Sequence, residues 1–191
     1  MENTKSHPTD DEARIPALET EHLLLRPFRE SDAEAVFACC RNPNLGNNAG
    51  WAPHKTVEES REVLRTVFIV QDVWAMTLKN TGQLIGSVGI IPDPKRENPE
   101  VRMLGYWLDE AHWGKGYMTE AVRAVLDYGF NGLELNLVAA SCYPHNKRSQ
   151  QVLERNGFMY EGILHQAELT YDGKVYDHLC YYLPGASSLC V

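Results

Sequence analysis

The chain has 191 residues, of which 43% are hydrophobic and 23% are charged, and its formal net charge is −8 at pH 7. This composition is typical of one globular domain with a substantial core, and no apolar run approaches the roughly 18 residues that a membrane span needs. The acidic balance argues against nonspecific nucleic-acid binding, which depends on contacts of Lys and Arg with phosphates. The five cysteines lack the spacing of a zinc or redox motif, so the sequence predicts no metal site and a reducing, cytoplasmic location.

The two ends of the chain differ in composition from the part between them. Residues 1–16 are polar and acidic and contain no apolar signal-peptide segment, so they predict a flexible N-terminal tail. Residues 17–185 alternate between apolar runs and turn signals and predict a single domain. Residues 186–191 are left as a short C-terminal tail.

The first predicted elements are a strand, a helix and a loop. The leucines of residues 18–28 predict a buried strand. A helix follows it, with Ser31 or Asp32 as the cap. Residues 44–53 are rich in Asn and Gly around one large aromatic residue, Trp51. This composition predicts a long loop, and long loops are often functional.

The rest of the chain alternates between strands and helices. A short turn joins the apolar segments 73–78 and 84–91 and predicts a hairpin. A helix follows the glycine-containing turn after the strand 103–108, and Gly157 ends the next helix. The remaining predicted strands are residues 135–143, 158–160, 168–171 and 175–183. This order predicts an α/β sandwich built on a mixed sheet of about seven strands flanked by helices.

The glycine turn after residue 108 has the features of an anion site. Gly114 and Gly116 have no Cβ, so the backbone there can adopt positive φ and approach a ligand closely. The helix that follows leaves its first N–H groups unpaired and directs its positive dipole end to the turn, which favours a phosphate. The turn differs from a Walker loop because Lys115 stands between the glycines, and from a dinucleotide-binding turn because no third glycine follows.

Four motifs in a fixed order carry a family resemblance. They are Trp113-Gly114-Lys115-Gly116-Tyr117 with Thr119-Glu120-Ala121 after it, Gly105-Tyr106-Trp107-Leu108 before it, Asn146-Lys147-Arg148-Ser149, and Asn156-Gly157-Phe158. As an ordered set they resemble the GCN5-related N-acetyltransferases (GNAT), and the resemblance is closest to the RimJ/RimL-like branch, which acetylates protein N-termini. It covers about residues 18–183 and implies the sandwich fold of acyl-CoA N-acyltransferases.

The resemblance implies acetyl-CoA as cosubstrate and assigns residues to it. The pantetheine arm would lie along Trp107 and Leu108 and would bond to Asn146. Ala111 stands where the family often has Gln or Arg, a modest loss if backbone amides supply most of the phosphate cradle. Lys115 either adds a charge contact or stays solvated. The amides that would meet the phosphates are those of Gly114, Lys115, Gly116, Tyr117, Met118 and Thr119.

Two residues are candidates for the chemistry of transfer. In the RimJ/RimL pattern Ser149 lies near the thioester sulfur, where its O–H could protonate the leaving thiolate; otherwise it is a residue of the helix N-terminal turn. The family's Gln-Ala-Glu segment places a proposed base at Glu168, whose other interpretation is a strand glutamate that faces solvent. Met103 stands where the family usually has an acidic residue, which makes the base assignment less secure. No Cys–His pair supports a covalent acetyl-enzyme, and Cys142 is interpreted as a packing residue, so direct transfer is favoured.

The acceptor remains open at this stage. The first hypothesis is acetylation of a protein N-terminus, and a homodimer is compatible with it. The acceptor could instead be a small amine such as a polyamine, an antibiotic or an amino-acid analogue. A non-catalytic module that binds acetyl-CoA and regulates a partner, or an unrelated phosphate-ligand protein, are the other two interpretations.

Overall fold

Successive residues of the central strands enter two cores, one on each face of the sheet. In the computed structural model, which describes residues 15–185, Trp74 and Met76 pack on one face, whereas Val73 and Ala75 pack on the other. The two-residue period of a strand dictates this alternation. Because both faces are covered, residues 73–78 are buried without exception, which explains why this strand is apolar almost throughout.

The sheet has eight strands in the order β1-β2-β3-β4-β5-β6-β8-β7. All neighbouring strands are antiparallel except β5 and β6, which are parallel. The strands are β1 (Leu18–Glu19), β2 (Leu23–Pro27), β3 (Val73–Leu78), β4 (Leu84–Pro92), β5 (Val101–Leu108), β6 (Leu137–Cys142), β7 (Met159–Leu169) and β8 (Val175–Pro184). The mixed sheet flanked by helices confirms the predicted fold class, with one strand more than expected.

Five α-helices connect and cover these strands. They are α1 (Ala33–Cys40), α2 (Pro43–Ala49), α3 (Val57–Val63), α4 (Tyr117–Asp127) and α5 (Lys147–Arg155). Helices α4 and α5 contribute Val122 and Leu153 to one core, and α1 contributes Val36 to the other. Between residues 15 and 185, no helix combines the length and apolar character needed to cross a membrane.

Two predictions in the N-terminal half were wrong. Residues 18–28 form two short strands, because Thr20 makes a tight turn in which its hydroxyl accepts the N–H of Leu23 at 3.0 Å. The predicted loop 44–53 contains most of α2. Asn42 caps this helix by accepting the N–H of Asn44 at 2.9 Å, and Gly50 ends it with φ of 85°.

The parallel pair β5–β6 creates the opening that the fold offers to a ligand. The two strands pair from Val101 opposite Leu137 to Leu104 opposite Ala140 and then separate. Strand β5 continues to Leu108 without β6 beside it. Helix α4 starts after β5 and α5 starts after β6, so both helix N-termini border this gap.

The C-terminal hairpin contains an irregularity that sets the direction of one side chain. Leu164 lies opposite His178 and Glu168 lies opposite Tyr176, so residues 165–167 of β7 face one residue of β8, Asp177. Gln166 has φ of 50°, and its N–H donates to Asp177 at 2.8 Å. Because two extra residues restore the alternation, Glu168 remains on the face of the hairpin that carries His178.

The predicted tails lie almost wholly outside the described residues. The structure does not describe residues 1–14 and 186–191. Ile15 and Pro16, which were assigned to the N-terminal tail, contact the domain. Ile15 is buried, and the carbonyl of Pro16 accepts the indole N–H of Trp74 at 2.7 Å.

Candidate active site

The turn between β5 and α4 has the geometry that its two glycines predict. Gly114 and Gly116 have φ of 76° and 86°, in the left-handed region that other residues enter only with strain. A Cβ added at either position would meet no protein atom within 4 Å. The glycines are therefore needed for the backbone path, and the space beside them is open to a ligand.

Helix α4 begins at this turn without a side-chain cap. Gly116 is the N-cap residue, and it has no side chain that could accept a hydrogen bond from the end of the helix. The first intrahelical bond runs from the N–H of Glu120 to the carbonyl of Gly116 at 3.0 Å. The N–H groups of Tyr117, Met118 and Thr119 precede that bond and point out of the helix end, where the helix dipole favours an anion.

Trp113 fixes the start of the turn. Its indole N–H donates to the carbonyl of Leu108 at 2.7 Å, which folds the turn back onto the end of β5. The guanidinium of Arg148, on α5, lies over the Trp113 ring at 4.3 Å from its centre. This cation–π contact holds a positive charge beside the turn.

A cleft with a volume of about 290 Å³ lies between the separated strands and the two helices. Eight of the predicted site residues line it: Trp107, Leu108, Gly114, Gly116, Met118, Thr119, Asn146 and Ser149. Lys115 and Tyr117 are not in the lining. Lys115 is exposed, and the ring of Tyr117 lies near His22 and His112. The indole of Trp107 is buried 6.5 Å from the ring of Phe68, so this residue offers chiefly its backbone to the cleft.

Ser149 is paired with a hydroxyl that sequence reasoning did not assign. Its Oγ lies 2.8 Å from the hydroxyl oxygen of Tyr106, and either group can be the donor. Burial raises the pKa of Tyr106, and the bond to Ser149 only partly offsets this effect. Tyr106 therefore keeps its proton at neutral pH. Asn146 is the N-cap of α5, and its side-chain Oδ1 accepts the Ser149 N–H at 3.1 Å, so the Ser149 side chain is not the cap.

Asn146 also contacts the helix that was predicted as a loop. Its amide N–H donates to the carbonyl of Asn48, in α2, at 3.2 Å. Helix α2 lines the cleft with Leu45, Asn48 and Ala49. A ligand that bonded to the Asn146 side chain would therefore compete with a contact between α5 and α2.

Glu168 lies beside the cleft and is not part of its lining. Its Oε2 is 2.9 Å from Nε2 of His178, and its side chain is 34% exposed. A Cβ on Gly50, which follows Ala49 of the lining, would come within 2.4 Å of Glu168 Oε1 and 2.6 Å of the Tyr143 hydroxyl. The carboxylate is thus packed against the end of α2. Burial raises the pKa of Tyr143, and Glu168 adds to this effect.

Cys142 lies close to Ser149 but has the environment of a packing residue. Burial raises the pKa of its thiol to about 11, although Ser149 acts in the opposite direction. The thiol is therefore un-ionised at neutral pH, and a thiol is a poor nucleophile compared with a thiolate. Cys39, Cys40, Cys142 and Cys180 are all free.

Other residues in the cleft were missed by sequence reasoning. Arg148 and Arg155 lie two helical turns apart on α5 and both line the cleft, so α5 adds positive charge to it. The seven-residue spacing of Arg148 and Arg155 on a predicted helix could have indicated that both side chains lie on the same face of that helix. Within residues 15–185, no group of three or more His, Cys, Asp or Glu side chains is arranged to hold a metal ion.

Comparisons with known proteins agree with this geometry. Residues 22–159 match the family described as an acetyltransferase (GNAT) domain. The chain is 30% identical to the uncharacterized N-acetyltransferase YoaA of Bacillus subtilis over 173 residues, which cover 87% of this chain and 96% of YoaA. It is also 30% identical to the ribosomal-protein-serine acetyltransferase of Escherichia coli over 170 residues, which cover 85% of this chain and 92% of that protein.

A solved structure extends the agreement in fold to a protein with a bound ligand. The structure of RimL, a ribosomal L7/L12 alpha-N-protein acetyltransferase in complex with coenzyme A, superposes with a TM-score of 0.78 at 23% identity and covers 89% of this chain and 98% of RimL. The separated β5 and β6, the glycine turn and the matches over most of the chain lead to one conclusion: the protein belongs to the GNAT acetyltransferase family, resembles its RimJ/RimL-like branch, and is an acetyltransferase.

Proposed function

We propose that the protein transfers acetyl from acetyl-CoA directly to a primary amine, with the α-amino group of a protein N-terminus as the acceptor. The observation that carries this proposal is the cleft itself. It has a glycine turn and an uncapped helix at one end and the Ser149–Tyr106 pair between the separated strands. A phosphate group and a reactive acyl group need these two different environments.

The residues of the chain fit the donor. The glycine turn leaves open the space that a Cβ would fill. No side chain caps the N–H groups at the start of α4, so they can donate to a phosphate. Arg148 and Arg155 supply cations from α5. The arm of the donor would follow β5 along Trp107 and Leu108 and reach Asn146. Lys115 and Tyr117 would contribute through their backbone N–H groups, because neither side chain lines the cleft.

Ser149 is proposed as the proton donor to the departing thiolate. Acetyl-CoA supplies the acetyl group as a thioester, and acyl transfer to an amine releases a thiolate. The Oγ of Ser149 is in the cleft, and the Tyr106 hydroxyl 2.8 Å away can donate a hydrogen bond to it, which leaves the Ser149 O–H free for the sulfur. Ser149 then regains its proton from solvent after the thiol leaves. Because burial keeps Tyr106 protonated, this pair holds a proton at the correct place throughout neutral pH.

Glu168 is proposed as the base that takes the proton of the amine. A free α-amino group has a pKa of about 8, so an N-terminal acceptor needs only modest assistance at neutral pH. A lysine side chain, with a pKa of about 10.4, would need far more. The un-ionised Cys142 does not favour an acetyl-enzyme, which supports direct transfer.

The test is release of CoA thiol from acetyl-CoA in the presence of a panel of acceptors. The panel contains peptides with free Ala, Ser or Met N-termini, the same peptides N-blocked with an internal lysine, and polyamines and amino sugars. We expect turnover with free N-termini and none with the blocked peptides. Turnover confined to small amines would overturn the N-terminal assignment. Acetyl-CoA binding without turnover would support a regulatory module, and failure to bind acetyl-CoA would overturn the proposal as a whole.

Two further features stay predictions. A cytoplasmic location agrees with the cysteines of residues 15–185, all four of which are free, and its test is fractionation of cells that express the chain. A homodimer is tested by measuring the mass of the protein in solution.

A further inference from the structure

The carboxylate proposed as base has a different neighbour at each of its two oxygens. Oε2 of Glu168 lies 2.9 Å from His178 Nε2. Oε1 faces Gly50 and the Tyr143 hydroxyl, at the end of the helix that lines the cleft. The His178 side chain is only 14% exposed. A contact this well enclosed restricts the rotation of the Glu168 carboxylate far more than a contact with water would.

Lys95 determines which residue is the donor in the contact between His178 and Glu168. Nζ of Lys95 lies 3.4 Å from Nδ1 of His178. A lysine ammonium has three donors and no acceptor, so Nδ1 must accept in this contact. The ring proton is then on Nε2, and His178 donates it to Glu168 Oε2. The order Lys95, His178, Glu168 is thus a line of donors that ends on the carboxylate.

The loop that carries Lys95 is fixed in place. The backbone N–H of Lys95 donates to the buried carboxylate of Asp93 at 2.8 Å. The guanidinium of Arg96 bridges Asp93 at 2.6 Å and Glu161 of β7 at 2.5 Å. These contacts join the β4–β5 loop to the hairpin that holds both Glu168 and His178. The position of Lys95 beside His178 therefore follows from buried and charge-assisted bonds.

We propose that His178 is a positioning residue for amine acetylation: with its tautomer set by Lys95, it holds Glu168 so that Oε1 faces the acceptor. This inference rests on the proposed role of Glu168 as base. The other titratable groups around the pair are Tyr143 after β6, Tyr176 of β8 and His145, whose rings pack on one another with centroids 4.9 to 5.3 Å apart. The Tyr143 hydroxyl lies near Oε1, and Glu168 contributes to the raised pKa of that hydroxyl. His178 is the partner of Oε2, at 2.9 Å, and is the group to which we assign the orientation of the carboxylate.

Four single variants separate this role from a general effect on the fold. His178→Phe keeps a ring and removes the donor, whereas His178→Gln keeps an N–H that can reach Glu168. Lys95→Met keeps the stem of the side chain and removes the ammonium. His165→Phe is the matched control, because His165 bonds to Asp177 at 3.0 Å on the same hairpin but on the opposite face.

We expect His178→Phe to lower kcat by about 10- to 100-fold, the range that a misplacement of about 1 Å produces. The KM for acetyl-CoA should not change, because none of these residues lines the cleft. His178→Gln should recover most of the rate, and His165→Phe should retain it. The deficit of His178→Phe should shrink at pH 9, where the amine loses its proton unaided. In a Glu168→Gln background, His178→Phe should cause no further loss.

Several results would overturn the inference. One is a wild-type kcat in His178→Phe. Another is a loss of kcat from His178→Phe that is as large in the Glu168→Gln background as in the wild-type chain. Wild-type turnover in Glu168→Gln would remove the base, and with it this role of His178, while leaving the acetyltransferase activity established.

Nitrogen NMR of the ¹⁵N-histidine-labelled full chain tests the geometry without turnover. The resonances that vanish in His178→Gln identify the ring. We expect the Nε2–H tautomer near pH 7 and a change in its nitrogen shifts in Lys95→Met. An Nδ1–H tautomer, or shifts that do not respond to Lys95→Met, would contradict the proposed line of donors even if every acceptor in the panel proved inactive.

Discussion

Gly116→Val is the sharpest test of where the phosphate end of the donor binds. Gly116 has φ of 86° and open space where a side chain would project. A branched side chain would fill that space and displace an anion from the N–H groups of α4. Hydrogen bonds to a charged group are worth about 1.5–3 kcal/mol each, so loss of two costs about 3–6 kcal/mol. At about 1.4 kcal/mol per decade, the affinity for acetyl-CoA should fall by at least about 100-fold.

The same substitution also strains the backbone, so the loss of affinity needs a control for stability. A left-handed conformation costs an L-residue about 1–2 kcal/mol, which lowers the Tm of a chain of this size by roughly 2–4 °C per kcal/mol. Gly82 provides the match. It has φ of 71°, and a Cβ there would also meet nothing within 4 Å, but it lies in the β3–β4 turn. Gly82→Val should show the same loss of Tm with unchanged affinity.

The assay is calorimetric titration with acetyl-CoA, followed by thermal unfolding with and without it. At a concentration of about 100 Kd the ligand should stabilise the wild type and Gly82→Val by about 2.7 kcal/mol. It should not stabilise Gly116→Val at the same concentration. Unchanged affinity in Gly116→Val would place the phosphates elsewhere. A loss of affinity in both variants would mean that strain, not occupation of the cradle, is responsible.

The remaining predictions concern the chemistry of transfer, the cations of α5 and Cys142. Ser149→Ala should slow transfer by about 100-fold or more, as loss of a general acid does, with little change in the affinity for acetyl-CoA by titration. Glu168→Gln should lower kcat more at pH 7 than at pH 9 in a pH–rate profile, because the amine deprotonates unaided at the higher pH. Arg155→Ala should weaken acetyl-CoA binding and reduce its salt dependence, since a cation near phosphates acts through screened charge. Cys142→Ala should keep wild-type turnover. In the wild-type chain the pKa of the Cys142 thiol is raised to about 11, so the rate at which iodoacetamide alkylates Cys142 should rise as the pH approaches 11 and should not rise near pH 8.

The glycine turn could be predicted from the sequence because its cause is local. Two glycines one residue apart permit two left-handed residues, and the helical pattern starts directly after them. Strand β5 before the turn has the apolar character of a buried element. No distant residue has to be known for these inferences. The family resemblance then placed Ser149 and Asn146 in the same cleft, where the structure has them.

Helix α2 could not be predicted because distant residues hold it in place. Its sequence contains one Gly, one Pro and three Asn residues, which are poor helix formers. Glu110 accepts hydrogen bonds from Asn42 and Asn44 at its start. At its other end Tyr171 donates to Asn47 at 3.0 Å. These partners are 66 to 124 residues away in sequence, so tertiary contacts override a weak local propensity.

The environment of Glu168 shows a stricter limit on reading a site from sequence. The Gln-Ala-Glu segment identified this residue, but its neighbours depend on the register of β7 against β8. Residues 165–167 face Asp177 alone, and this mismatch of two residues decides that Glu168 lies opposite Tyr176 and within reach of His178. Without the bulge, Glu168 would pair with residue 174 of the turn, several ångströms further along the hairpin. A bulge held by one carboxylate therefore determines which histidine can position the proposed base, and no local pattern in β7 reports it.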